Sequence, residues 1–100
     1  MADFSYEATS RTTTFNGLEL HYHEAGTGSD ALILLHGAGP GVSGWSNFSG
    51  NLEHYAGQFR TVIVDMPGFG KSGHPQEYDR SYLRYASDAV VALMDELSIA

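Results

Sequence analysis

Hydrophobic and polar positions follow three patterns along this chain, and the first of them predicts a hairpin. Residues Thr12 to Phe15 and Leu18 to Glu24 form two β-prone stretches. They are separated by Asn16-Gly17, the dipeptide that favours a type I′ turn between two strands. We therefore predict that the chain opens with an antiparallel hairpin.

The second pattern is an apolar run that ends in a loop, and it occurs twice. Ala31 to Leu35 follows the loop Gly26 to Asp30, and Thr61 to Val64 ends at Asp65. Because the first run does not alternate with polar residues, it is typical of a strand covered on both faces in a parallel sheet. Between the runs, bulky residues recur at helical spacing: Trp45, Phe48, Leu52 and Tyr55. This order predicts a β-α-β unit.

The third pattern is a long amphipathic helix near the end of the chain. Residues Met66 to Asp79 carry several glycines and prolines, which exclude regular structure there. Ser81 then has the character of an N-cap, and the helix is predicted to run to Leu97. Its predicted buried stripe consists of Leu83, Ala86, Val90, Leu93 and Leu97. Hairpin, β-α-β unit and helix together indicate an α/β fold.

A glycine-rich loop connects the first apolar strand to the following helix, and we place the candidate active site there. The segment Leu32 to Asn47 reads Leu-Ile-Leu-Leu-His-Gly-Ala-Gly-Pro-Gly-Val-Ser-Gly-Trp-Ser-Asn. A backbone with so few Cβ atoms can turn its N–H groups toward a developing negative charge. The loop alone supplies no nucleophile.

Composition indicates one ordinary globular domain. The 100 residues are 42% hydrophobic and 17% charged. The longest apolar run, Ala31 to Leu35, is far shorter than the roughly 20 residues of a membrane-spanning helix. The N-terminus has no basic-then-apolar signal pattern, so we expect a cytoplasmic protein without a membrane partner.

Charge and cysteine content exclude further classes of function. Five Lys and Arg against twelve Asp and Glu give a net charge of −7, which argues against binding nucleic acid or an anionic membrane. The absence of cysteine excludes disulfides and thiolate metal sites. His21 and His23 share one face of a predicted strand, but no zinc spacing accompanies them, and we predict that they are surface histidines on an edge hairpin.

A dinucleotide-binding unit is an alternative that the spacing leaves open. Gly39-x-Gly41-x-x-Gly44 follows a strand, and Asp65 closes the next strand about twenty residues further on. In that fingerprint, however, the first glycine follows the strand directly, which Gly39 does not. The bulky side chain of Trp45 would also crowd the pyrophosphate.

Three segments carry a resemblance to a known family: His36 to Gly41, Trp45 to Phe48, and Asp65 to Ser72. They look like the N-terminal part of an α/β-hydrolase and, more narrowly, of the meta-cleavage-product hydrolases. Those enzymes cleave a carbon–carbon bond in 2-hydroxy-6-oxo-hexa-2,4-dienoates, the ring-opened products of extradiol dioxygenases, during bacterial breakdown of aromatic or steroid rings. The resemblance extends from the hairpin to Leu97. An α/β-hydrolase esterase of other specificity is the main alternative.

The resemblance implies an α/β-hydrolase fold, in which an antiparallel hairpin leads into a mostly parallel sheet with flanking helices. Residues 1–100 would be the N-terminal part of a single core domain, without the nucleophile elbow, the lid and the C-terminal part. The family nucleophile is a serine in a Gly-x-Ser-x-Gly-like elbow, joined by a distant Asp and His. Ser72 comes closest, but His74 occupies the last glycine position, and we interpret Ser72 as a turn residue. The elbow strand would lie beside Ala31 to Leu35.

The resemblance also assigns site residues. Ala38 matches the position whose backbone N–H donates to the oxyanion, and Gly39 matches a position whose backbone approaches the substrate. Asn47 matches a side chain that hydrogen-bonds the polar end of a small-molecule dienoate substrate. No metal and no organic cofactor are implied, and the family suggests a homo-oligomer.

Four further residues are expected to support the site. We predict that His36 is a buried histidine that holds the loop by hydrogen bonds, and that Asp65 anchors the loop Pro67 to Ser72. Gly37 and Gly41 are expected to permit the turn of the glycine loop. Trp45 and Phe48 are expected to pack the helix against the sheet.

Overall fold

The structure is a computed structural model that describes residues 3–37, 41–73 and 81–99. Along the chain a short helix precedes three consecutive strands, and further helices lie before and after the fourth strand. The strands are β1 (Ser10–Phe15), β2 (Leu18–Ala25), β3 (Ala31–Leu35) and β4 (Arg60–Val64). The helices are α1 (Tyr6–Thr9), α2 (Gly44–Phe48), α3 (Leu52–Ala56) and α4 (Tyr82–Glu96), with a short 3-10 helix at Ser49–Asn51.

The four strands form one mixed sheet in the order β1-β2-β4-β3. β2 is antiparallel to both β1 and β4, whereas β3 and β4 are parallel. The turn between β1 and β2 has φ of 50° at Asn16 and 76° at Gly17, the two positive values that a type I′ turn requires. The predicted hairpin is confirmed.

The connection from β3 to β4 is the predicted β-α-β unit, but its helix is divided. The 3-10 helix at Ser49–Asn51 separates α2 from α3. Ser, Gly and Asn follow one another there, and all three have low helix propensity. The division leaves α2 with five residues, little more than one turn.

The hydrophobic core lies between one face of the sheet and α4. Its buried members come from β2, β4 and α4: Leu20, Tyr22, Val62, Val64, Ala89 and Leu93. Ser81 caps α4, since its hydroxyl accepts a hydrogen bond from the backbone N–H of Arg84. Both the predicted cap and the predicted helix are confirmed.

The buried face of α4 differs from the predicted stripe. Ala86 and Leu93 are buried as predicted, but Leu83 is 80% exposed, and Tyr85 and Ala89 are buried in addition. Tyr85 packs edge-to-face on Phe15 of the hairpin, with 5.3 Å between ring centroids. Leu97 is half-buried and packs against the core, and Val90 is half-buried, so Leu83 is the member of the predicted stripe that is wrong.

Strand β3 is less covered than its apolar sequence predicted. In the part of the chain that the structure describes, β3 pairs only with β4. Its end residues Ala31 and Leu35 are exposed, and the three residues between them are half-buried. Within the described ranges, no helix has the length and apolar character needed to cross a bilayer.

The two leucines of α4 allow a direct test of this packing. We expect Leu93→Ala to lower the free energy of unfolding by about 2–5 kcal/mol, because it leaves a cavity in the core. Leu83→Ala, the same change on the exposed side of the same helix, should alter it by less than about 0.5 kcal/mol. Urea unfolding followed by circular dichroism measures both. Equal losses would show that α4 packs through Leu83 after all.

Candidate active site

The candidate site lies where β3 and β4 end, because the carboxyl ends of parallel strands meet at one edge of the sheet. His36 follows β3 directly and is 8% exposed. Its Nδ1 lies 2.6 Å from the Gly37 carbonyl oxygen, and its Nε2 accepts from the Met66 N–H at 3.0 Å. One neutral tautomer, with the proton on Nδ1, satisfies both contacts. Both ring nitrogens are therefore engaged within the protein and join the loops after β3 and β4.

The structure leaves part of the glycine loop undescribed. Ala38 and Gly39, the residues expected to face the oxyanion and the substrate, lie outside the described residues, and their roles stay predictions. Gly41 has φ of 76°, the left-handed region in which glycine is favoured. Gly37 is exposed, and an added Cβ would meet no described atom within 4 Å.

The Asp65 carboxylate joins three segments at this edge. It is 2% exposed. Its Oδ1 accepts from the Gly44 N–H at 2.7 Å, and its Oδ2 accepts from the Lys71 N–H at 3.0 Å. His21 Nδ1 also contacts Oδ2, at 2.7 Å. Asp65 thus connects the start of α2, the loop after β4 and strand β2.

Ser72 completes the same connection through its hydroxyl group. The hydroxyl donates to the Asp65 carbonyl oxygen at 2.6 Å and accepts from the His21 N–H at 2.9 Å. The side chain is 3% exposed. Both hydrogen bonds serve the protein's own backbone, as the interpretation of Ser72 as a turn residue expects.

Close packing explains two glycines near the carboxylate. A Cβ on Gly44 would lie 2.5 Å from Ile63 Cγ2 and 2.9 Å from the Val64 carbonyl oxygen. A Cβ on Gly70 would overlap the Asp65 carboxyl group, and φ there is 55°. Gly44 therefore packs directly on β4 and Gly70 on the Asp65 carboxyl group, and both approaches require glycine. Sequence reasoning did not predict this packing, because Gly44 lies about twenty positions before its partners, and the turn that brings Gly70 back onto Asp65 forms only in the fold.

These contacts remove the basis of the dinucleotide alternative. In a dinucleotide-binding unit, the acidic residue that closes the second strand binds the ribose, and the glycine turn faces the pyrophosphate. Here the Asp65 carboxylate is buried and bound to the N–H of Gly44. Neither group is left for a nucleotide.

Asn47 lies on α2, close to the helix end that Asp65 holds. Ser43 and Ser46 form a capping box at that end, with the Ser46 N–H donating to the Ser43 hydroxyl at 3.1 Å. The Asn47 side chain is exposed and forms no hydrogen bond with a described residue. The role of Asn47 in substrate binding stays a prediction.

The prediction for the two hairpin histidines is wrong. His21 is 3% exposed and His23 is fully buried. β2 lies between β1 and β4, and Tyr6 of α1 and Trp45 of α2 cover its histidine face, with ring centroids 4.6 Å from that of His23. Ser5 caps α1, and this N-cap was the sequence signal that could have revealed the covering helix.

The environment of His23 favours its neutral form. Its Nδ1 lies 2.9 Å from the Thr9 hydroxyl oxygen, and its Nε2 has no hydrogen-bond partner among the described residues. The pKa of His23 is lowered from 6.5 to about 4. Burial is the main cause, and the neighbouring His21 contributes to the same decrease. Within the described residues, no group of three or more His, Cys, Asp or Glu side chains is arranged to hold a metal ion.

A cavity of about 240 Å³ lies beside His36. Met66 and Phe69 contribute to it from the loop after β4, and Tyr82, Leu83 and Ala86 contribute from α4. Leu83, which was wrongly predicted to be buried in the core, thus lines this cavity. The candidate site combines an apolar surface with a glycine loop at the carboxyl edge of the sheet.

Comparison with known proteins identifies the fold. A sequence model of the alpha/beta hydrolase fold matches residues 30–100. The chain belongs to the α/β-hydrolase family. The fold class that the resemblance implied is confirmed, with the hairpin and the β3-α-β4 unit in the expected order.

The relatives narrow the similarity to one group of hydrolases. The chain is 52% identical over 56 residues to a 2-hydroxy-6-oxononadienedioate/2-hydroxy-6-oxononatrienedioate hydrolase of Burkholderia vietnamiensis, covering 55% of this chain and 19% of the relative. A meta-cleavage product hydrolase from Pseudomonas fluorescens superposes with a TM-score of 0.80 at 30% identity, covering 90% of this chain and 32% of that one. A 2-hydroxy-6-oxo-6-phenylhexa-2,4-dienoate hydrolase from a Rhodococcus strain gives 0.78 at 32% identity, covering 86% and 32%. The chain spans about a fifth of the curated relative and about a third of the two structures.

The buried histidine predicts a pH-dependent stability. Because burial disfavours protonated His23, its contribution is complete above the unfolded pKa of 6.5 and is lost as the pH falls toward 4. From pH 7 to pH 5 we expect this group to remove about 2 kcal/mol from the free energy of unfolding. His23→Asn, which keeps a donor toward Thr9 but does not titrate, should lack this decrease, whereas the exposed control His54→Asn should retain it. Urea unfolding at both pH values measures the difference, and identical decreases in all three proteins would contradict it.

Proposed function

We propose that this chain is the N-terminal part of a serine-type hydrolase that cleaves a carbon–carbon bond in ring-opened 2-hydroxy-6-oxo-hexa-2,4-dienoates. The observation that carries the proposal is the 52% identity over 56 residues to a hydrolase named for such a substrate. Two solved structures of hydrolases of this group, which superpose with TM-scores of 0.80 and 0.78, support it. The distal group of the substrate is left open, because the named relatives themselves differ there.

The proposed reaction adds water across a carbon–carbon bond next to a ketone. The dienol first tautomerises to the keto form, and a serine of the complete protein attacks the C6 carbonyl carbon or assists water in doing so. The tetrahedral oxyanion then collapses with cleavage of the bond to C5. Water supplies a hydroxyl group to the acyl carbon and a proton to the leaving carbon. The products are a carboxylic acid and 2-hydroxypenta-2,4-dienoate.

Three residues of this chain are proposed to meet the substrate. The backbone N–H of Ala38 is one donor to the oxyanion, and the backbone of Gly39 lies against the substrate. Loss of one oxyanion donor typically lowers the rate by about 10²–10³. Asn47 hydrogen-bonds the polar dienoate end, and its exposed amide on α2, which forms no hydrogen bond with a described residue, supports this role.

The proposal is tested with the protein expressed from its complete reading frame. It is mixed separately with 2-hydroxy-6-oxononadienedioate and with 2-hydroxy-6-oxo-6-phenylhexa-2,4-dienoate, and the loss of visible absorbance is followed. We expect at least one of them to be bleached, with equal amounts of the matching carboxylic acid and 2-hydroxypenta-2,4-dienoate identified by chromatography. Hydrolysis of simple esters without bleaching would overturn the proposal in favour of an esterase.

The role of Asn47 has a matched control on the same stretch of chain. We expect Asn47→Ala to raise KM by about tenfold to a hundredfold, since a hydrogen bond to a charged group contributes about 1.5–3 kcal/mol. Asn51→Ala, the same change at an exposed asparagine that ends the 3-10 helix and forms no side-chain cap to α3, should leave KM unchanged. Steady-state kinetics of the three proteins measures both effects. Equal KM values would remove Asn47 from the site.

A further inference from the structure

A chain of three hydrogen-bonded side chains, Ser10, His21 and Asp65, connects the first strand to the candidate site. The Ser10 hydroxyl oxygen lies 2.6 Å from His21 Nε2, and His21 Nδ1 lies 2.7 Å from Asp65 Oδ2. A carboxylate only accepts hydrogen bonds, so Nδ1 carries a proton and His21 donates to Asp65. The order of the three side chains is that of a catalytic triad, but the carboxylate also binds two backbone N–H groups. These side chains therefore connect the first strand to the backbone N–H groups of Gly44 and Lys71.

The carboxylate holds α2 in an orientation to which the His21 ring contributes, together with the Lys71 N–H. The χ2 torsion of an aspartate has a broad and roughly two-fold energy profile, so neighbouring donors decide how the carboxyl group is turned. With His21 Nδ1 at 2.7 Å and the Lys71 N–H at 3.0 Å both on Oδ2, the other oxygen faces the Gly44 N–H at 2.7 Å, and His21 is the side-chain donor of the two on Oδ2. Gly44 has no space for a Cβ, so the start of α2 tolerates little displacement.

Helix α2 depends on such contacts because it is short. A five-residue helix has little stability of its own and is held by its caps and its packing. Asn47 is the fourth residue of this helix, three positions after Gly44. A change in the orientation of the Asp65 carboxylate would thus displace the Asn47 amide.

We propose that His21 is a positioning residue for substrate binding: through Asp65 it fixes the start of α2 and with it Asn47. This inference rests on the proposed function, in which Asn47 binds the dienoate. His21 itself is 3% exposed and does not reach a substrate.

Two polar substitutions separate the contribution of the Nδ1 hydrogen bond of His21 from that of its Nε2 hydrogen bond. His21→Asn places an amide N–H near the position of Nδ1 and keeps the donor to Asp65. His21→Gln places its amide one bond further out, near Nε2, where it faces Ser10. Both remain polar, so each keeps the strand hydrogen bonds and one of the two side-chain contacts. His54→Gln, at an exposed histidine of α3, controls for the change of residue type.

The first readout does not need activity. Amide hydrogen exchange of the peptide 41–48, measured by mass spectrometry on the protein from the complete reading frame, reports how firmly α2 is held. We expect His21→Gln to accelerate this exchange at least tenfold, and His21→Asn and His54→Gln to remain close to the parent. Unchanged exchange in His21→Gln would overturn the proposal, and so would equal acceleration in His21→Asn.

The second readout connects His21 to Asn47. We expect His21→Gln to lower kcat/KM about tenfold, mainly through KM, and His21→Asn to restore most of it. In an Asn47→Ala background the further loss from His21→Gln should be less than twofold, because the displaced amide is already absent. A full tenfold loss in both backgrounds would show a general structural role and overturn the proposal. If the parent does not bleach the dienoate, the proposed function fails, while the exchange comparison still decides whether His21 holds α2.

Discussion

The buried carboxylate of Asp65 is the interaction on which the carboxyl edge of this sheet depends. A charge with 2% exposure is unfavourable unless hydrogen bonds replace its hydration. Here the replacement comes from the His21 ring and from the backbone N–H groups of Gly44 and Lys71. Bonds of this kind to an ionised acceptor are short and strong. One side chain therefore fixes the geometry between strand β2, the start of α2 and the loop after β4.

One face of β2 contributes to the hydrophobic core, and the other contributes to the geometry of the site. Leu20 and Tyr22 point into the apolar core beneath α4, whereas His21 and His23 lie on the opposite face beneath α1 and α2. Alternation along the strand makes this division automatic. The apolar face supplies most of the burial, and the polar face supplies directional bonds that an apolar layer would lack. Helix α2 is too short to be stable alone, and the contacts on this polar face of β2 hold it in place.

Membership of the α/β-hydrolase family agrees with this arrangement. The carboxyl ends of the parallel strands carry the glycine loop, His36 and Asp65, which is the edge where such folds place their ligands. The similarity to hydrolases of ring-opened dienoates supports the proposed function, and the chain spans about a third of the solved structures that it matches. Backbone geometry carries the proposed oxyanion role of Ala38, so the contacts that shape the loops matter more than side-chain identity.

The sequence alone determined the features that depend on neighbouring residues. Asn16-Gly17 predicts its turn because positive φ is a local requirement, and Ser81 predicts its helix because a cap acts within one turn. Tertiary structure decided the burial of His21 and His23, since nothing adjacent in the chain reveals that α1 and α2 cover them. Tertiary structure also left Leu83 of α4 exposed. It brought Asp65 into contact with His21 and Gly44, which lie 44 and 21 positions earlier in the chain. Such contacts arise only when the strands assemble, because a side chain's burial and partners depend on elements that the local sequence does not encode.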